Sequence, residues 1–164
     1  MDATFTADEH YRQGRERLDA GRQAEALEHF RAAHELDRAS ARYASYYGLG
    51  LALVERRFNR AVELCRTAVK EEFFSPDLYH NLARVHLAFG FKAEGIRYLR
   101  RGLMIDPAHS GILEEVSGLG VRRHPVLRFL PRGHFLNRWL GRLRKRFGDE
   151  AAEEGPEAES MRAA

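Results

Sequence analysis

Eight histidines, one cysteine and 24 carboxylates are the groups in this 164-residue sequence that could ligate a metal or move a proton. A zinc site built on one helix needs two histidines four residues apart, so that both imidazoles leave the same face. His29 and His34 are five apart, and His80 and His86 are six apart. Neither pair meets that condition, and no metal site is expected. Cys65 falls on an apolar helical period, where a free thiol acts as a small hydrophobe; a reactive thiol needs exposed, electropositive surroundings. "GLGLAL" (48–53) contains a GxG, but Tyr46 and Tyr47 precede it in helical register. No nucleophile elbow, phosphate loop or dinucleotide fingerprint occurs. An enzyme is therefore not expected, nor a cofactor, nor a small-molecule substrate.

The other chemically loaded stretch is "GVRRHPVLRFLPRGHFLNRWLGRLRKRF" (120–147). Pro125 and Pro131 predict an extended arm. Beyond Gly133 a helix is expected, with Phe135, Leu136, Trp139, Leu140, Leu143 and Phe147 on one face. Arg138, Arg142, Arg144, Lys145 and Arg146 supply its basic surface. Such a helix must bury its apolar side. Docking back onto the rest of the chain is the first expectation. A partner protein, an anionic membrane surface and nucleic acid follow in that order. Nucleic acid comes last because residues 1–117 show no basic stripe along the sequence.

Charge divides the chain. The net charge is +3, but residues 1–117 hold 17 basic and 18 acidic side chains, residues 118–148 hold nine basic and no acidic ones, and residues 149–164 hold six acidic and one basic. The acidic end has few apolar side chains, which predicts a disordered tail over 148–164. The N-terminus is polar and acidic, so no secretory signal is expected over the short extension 1–6. With one cysteine there is no intrachain disulfide. No apolar run reaches the ~20 residues of a membrane span. The cytoplasm is the expected location, with the inner face of the membrane as a peripheral alternative.

The elements that would carry these groups are helices, and they recur. "GRQAEALEHFRAAHELDR" (21–38), "RRFNRAVELCRTAVKEEF" (56–73) and "GFKAEGIRYLRRGLMIDP" (90–107) align on one pattern. Small residues stand at Ala26, Ala61 and Gly95 and again at Ala33, Ala68 and Gly102, with Phe30, Cys65 and Leu99 between them. Glycine inside a helix costs roughly 1 kcal/mol against alanine, so Gly95 and Gly102 predict a close helix approach. A second helical stretch precedes each of these: 7–20, 42–55 and 77–90. Its small positions are Gly14, Gly48 or Gly50, and Ala83. The unit is a helical hairpin with a period near 34.

This pattern resembles the tetratricopeptide repeat family. The third repeat carries most of it, through Tyr79, Leu82, Ala83, His86, Gly90, Gly95, Leu99, Gly102 and Pro107. The first adds Gly14, Gly21, Ala26, Phe30 and Ala33, with Arg38 in place of the terminal proline; the second keeps Ala61 and Ala68. The expected fold is all-α: a right-handed superhelix of three hairpins (about 7–40, 42–75 and 76–109). A capping helix over 108–117, with Ser110 as its N-cap, closes this domain of residues 7–117. The arm and basic helix of 118–147 follow.

The resemblance implies a concave groove lined by the first helix of each hairpin, and a function in binding proteins as an adaptor, scaffold or assembly factor. Exposed groove candidates by spacing are Asp8, Tyr11 and Arg15, then Tyr43, Tyr46 or Tyr47, then Asp77, His80, Asn81 and Arg84. The tyrosines have a second reading, packing between repeats. A family subclass grips chaperone tails with a lysine and asparagine set. Here Tyr11, Arg15 and Asp77 stand at three of its positions and only Asn81 matches, so that role is not expected. The alternative function is a tether to an anionic membrane surface through residues 134–147.

Overall fold

The computed structural model describes residues 5–120. The chain divides after Gly120, so the expectations for the arm, the basic helix with Trp139, and the acidic tail lie outside the described residues. Seven helices follow in order: α1 (Ala7–Asp19), α2 (Gln23–Leu36), α3 (Ala41–Leu53), α4 (Phe58–Glu71), α5 (Pro76–Ala88), α6 (Lys92–Ile105) and α7 (Ser110–Gly118). They pair as hairpins α1–α2, α3–α4 and α5–α6, each stacked on the next, with α7 against α6. No helix among the described residues is long and apolar enough to cross a membrane.

Local chemistry sets the ends of the first helices. Thr6 and Glu9 form a capping box on α1, the Thr6 amide donating to Glu9 Oε2 at 2.7 Å. Ser40 caps α3, and Pro76 occupies the first turn of α5, where a missing amide proton costs nothing. The second helices α2, α4 and α6 have no side-chain cap. Each starts directly after a tight turn whose key residue has positive φ: Gly21 (75°), Arg56 (56°) and Gly90 (81°). Arg56 thus stands where the other hairpins use glycine.

That turn also settles the phase of the second hairpin. A Cβ on Gly48 would come within 2.9 Å of Cys65 Sγ, just as one on Gly14 would strike Phe30 at 2.5 Å. Gly48 is therefore the counterpart of Gly14 and Ala83, and Gly50 instead faces Leu27 of the preceding hairpin. The slip comes from one extra residue before Arg56. The turn-closing hydrogen bond spans five residues in the outer hairpins (Arg22 N to Arg17 O, Phe91 N to His86 O) and six in the middle one (Arg57 N to Leu51 O, 3.2 Å).

The recurrent small residues are buried: Ala26, Ala33, Ala61 and Ala68 are each at most 1% exposed. Gly102 lies against Ile112 of α7 and the start of α5, so the packing offsets its lost helix propensity. The cap of α7 differs from the sequence expectation. His109, not Ser110, caps it: Nδ1 accepts from the Ile112 amide at 3.2 Å, because Asp77 Oδ1 holds the other ring nitrogen at 3.1 Å and fixes the imidazole.

Candidate functional site

A concave cavity of about 690 Å3 runs across α1, α3, α5 and α7. From α1 come Arg15, Leu18 and Asp19, and from α3 comes Tyr46. Asp77, His80, Asn81 and Arg84 belong to α5, and His109, Glu114 and Glu115 stand on or beside α7. Of the sequence candidates, Arg15, Tyr46, Asp77, His80, Asn81 and Arg84 therefore gather at one place. Tyr11, Tyr43 and Tyr47 do not line it.

Burial departs from the expectation of exposed contacts. Tyr43, Tyr46 and Asn81 are all at least 95% buried. Tyr11 stands edge-on to Tyr46, with centroids 5.1 Å apart, and packs on Tyr43 and Phe30. This is the inter-repeat packing that the second reading of the tyrosines supposed. Tyr43 Oη donates to Asp8 at 2.6 Å, and Arg42 lies over the Tyr11 and Tyr43 rings. Tyr47 turns the other way and stacks on His34 of α2. Asn81 Nδ2 donates to Ser45 Oγ at 3.2 Å, while Cys65 donates to the Ser45 carbonyl. This buried chain joins α3, α4 and α5. Burial pushes the Cys65 thiol up to about 12, so it stays protonated and inert.

The tyrosines still act on the groove, through Arg15. Its Nη1 donates to Tyr46 Oη at 2.9 Å and to Tyr11 Oη at 3.3 Å. Burial weighs against the Arg15 charge, but the Tyr46 and Tyr11 oxygens and Asp19 outweigh it and hold its pKa above the ordinary arginine value. Burial likewise pushes the Tyr46 phenol up. Arg15 is thus a fixed cation on an aromatic bracket.

At the far wall, His109 Nδ1 accepts a hydrogen bond and so carries no proton; its Nε2–H donates to Asp77. His80 Nε2 lies 3.6 Å from Glu115 Oε2 and holds that carboxyl below the ordinary range. Asp19 was not among the candidates by spacing, nor were His109, Glu114, Glu115 and the α7 wall, since α7 carries no repeat pattern. Cross-helix histidine pairs were equally hidden: His10 and His29 meet at 3.1 Å between Nδ1 atoms, and the His80 and His109 rings at 5.7 Å. No three-ligand metal group occurs among the described residues. The lining holds both charge signs and hydroxyl groups, with Leu18 and Leu119 among its apolar members. Such a surface suits a polypeptide, whose main chain and side chains offer the same mixture.

Known structures agree on the fold. The Arabidopsis OM64 tetratricopeptide-repeat domain superposes with a TM-score of 0.54 at 16% identity, covering 69% of this chain and 93% of that one. The first such domain of Spaghetti (RPAP3), bound to the HSP90 peptide SRMEEVD, gives 0.54 at 16% identity over 70% and 90%. YrrB, a repeat protein with an unusual peptide-binding site, gives 0.55 at 17% identity over 70% of this chain and 59% of that one. No protein-family model and no curated protein sequence matches the chain. The described helices therefore have the tetratricopeptide-repeat fold, all-α and built of stacked hairpins.

Proposed function

We propose that this chain is a non-catalytic protein-interaction module whose α1–α3–α5–α7 groove holds an extended segment of a partner protein. The observation that carries this reading is the bipolar lining of the 690 Å3 concavity, with Arg15 braced by two phenols on one side and Glu115, 3.6 Å from His80, on the other. Peptides seated on repeat domains of the same fold support it. A chaperone-tail role is not part of the proposal, because no lysine lines the groove.

Peptides selected from a random display library against the full chain provide the test. Arg84→Glu should weaken the selected peptides about tenfold or more while leaving the melting temperature unchanged, since Arg84 is half-buried and makes no ion pair among the described residues. Glu114→Arg should do the same from the opposite wall. Peptides indifferent to both substitutions would remove the groove reading.

A further inference from the structure

A second cleft opens between α4 and α6, with a volume of about 380 Å3. Its rim carries Arg66 and Lys70 from α4 and Arg97 and Arg101 from α6, all four exposed. Its floor is Val69, Leu82 and Tyr98, the last two at most 5% exposed. Each rim pair is spaced i, i+4 on its own helix, where like charges repel. Nothing in the cleft offsets that repulsion. No carboxylate lines it, and none of the four cations makes an ion pair among the described residues. The Arg97 and Arg101 guanidinium carbons lie 5.5 and 6.0 Å from the Tyr98 ring centroid, so both are held along the wall. Met104, 82% exposed, continues the Arg97 and Arg101 face by helical spacing. The sequence shows no basic stripe here because the two pairs come from different repeats; stacking the hairpins creates the cluster.

We propose that the α4–α6 cleft docks an acidic segment of a partner protein, with an apolar side chain seated between its carboxylates. Four uncompensated cations in a recess focus the potential on an anionic ligand, and arginine matches carboxylate geometry in a bidentate fork. The apolar floor selects among anions. A free phosphate or a nucleic-acid backbone has nothing to place on the partly exposed Val69 of the floor, and a flat bilayer cannot reach the bottom of a cleft. An acidic peptide with one leucine or phenylalanine uses both features. This surface is separate from the α1–α3–α5–α7 groove, so the two proposals stand or fall independently.

The test uses the full chain and a fluorescein-labelled helical peptide of glutamate and leucine, followed by anisotropy at low salt. The expected result is binding that weakens about tenfold or more in the double variant Arg97→Glu, Arg101→Glu and weakens with added salt. Arg142→Glu with Arg146→Glu should change it less, which separates the cleft from the basic segment of the same chain. Circular dichroism checks folding, and Arg97→Gln with Arg101→Gln replaces the charge reversal if that variant is unfolded. A peptide of glutamate and alanine should bind more weakly than the leucine version. Equal binding of the two peptides would overturn the apolar seat. Loss of binding in the 142/146 variant alone would overturn the cleft. Tighter binding of single-stranded DNA or of phosphatidylglycerol vesicles, lost in the 97/101 variant, would overturn the protein partner.

Discussion

One residue can change its role by turning about 100° on a helix, and Asn81 shows it. His80 and Asn81 are neighbours on α5; His80 reaches Glu115 across the groove, while Asn81 is turned inward to Ser45. Spacing put both on the groove side, and only the packed neighbours could separate them. Asn81→Ala leaves Ser45 Oγ without its donor in a buried site, which should cost about 1–3 kcal/mol in urea unfolding. Arg84→Ala should stay within about 0.5 kcal/mol, as surface changes do. Equal effects would mean that the Asn81–Ser45 bond contributes nothing. His86 is the residue-scale source of acid sensitivity. It is 7% exposed, stacks on Tyr98, and has both ring nitrogens buried without a partner. Burial pulls its pKa below the ordinary 6.5, so the folded state resists the proton that the unfolded chain accepts.

Among the elements, the turns and the short last helix decide most. Glycine stands at the αL position in two of the three turns, Gly21 and Gly90, while Arg56 holds it in the third and gives no sign of positive φ in the sequence. A β-branched residue there should be worse than glycine. Arg56→Val is expected to melt below Arg56→Gly by the equivalent of about 1–2 kcal/mol, with part of the arginine's own tolerance coming from its stacking over Phe89 at 4.3 Å. The reverse order would place residue 56 outside αL. Most of the small residues were legible, because a period of 34 exposes them; only the contacts of Gly48 with Cys65 and of Gly50 with Leu27 separated those two. Ala61→Leu should overpack the α3–α4 contact by about 1–3 kcal/mol, seen as a lower melting temperature. Helix α7 was legible as a helix but not as a groove wall: Glu114 and Glu115 look like ordinary surface acids until His80 and the cavity are seen beside them.

At the scale of the whole molecule, stability should depend on acid more than the net charge suggests. His29, His34 and His86, spread over the first and third hairpins, all have pKa values lowered, with burial the largest cause. A histidine with a lowered folded pKa binds fewer protons than its unfolded counterpart. The stability it allows is complete above the unfolded value of 6.5 and declines as pH falls from there toward the folded values. The melting temperature should therefore drop between pH 7.5 and 5.5, and His86→Phe should flatten that slope; an unchanged slope would assign the acid sensitivity to other groups. The stacked architecture itself was readable from three aligned hairpins. The groove was readable in part, since Arg15, Tyr46, Asp77, His80, Asn81 and Arg84 were candidates by spacing and line it; its α7 wall and the α4–α6 cleft were not, because sequence spacing carries no record of which helices become neighbours.

The modest tether of α7 has a consequence in time. This helix is nine residues long and buries one side chain, Ile112, against Gly102, so it belongs at the low end of the local opening free energies of the stack. Its amide protons should be the first helical ones to exchange with deuterated water, well ahead of those in α3. A peptide seated in the groove rests on that same wall, so its arrival should slow the exchange of the α7 amides while leaving α3 at its former pace. The clock of one short helix would then report occupancy of the groove.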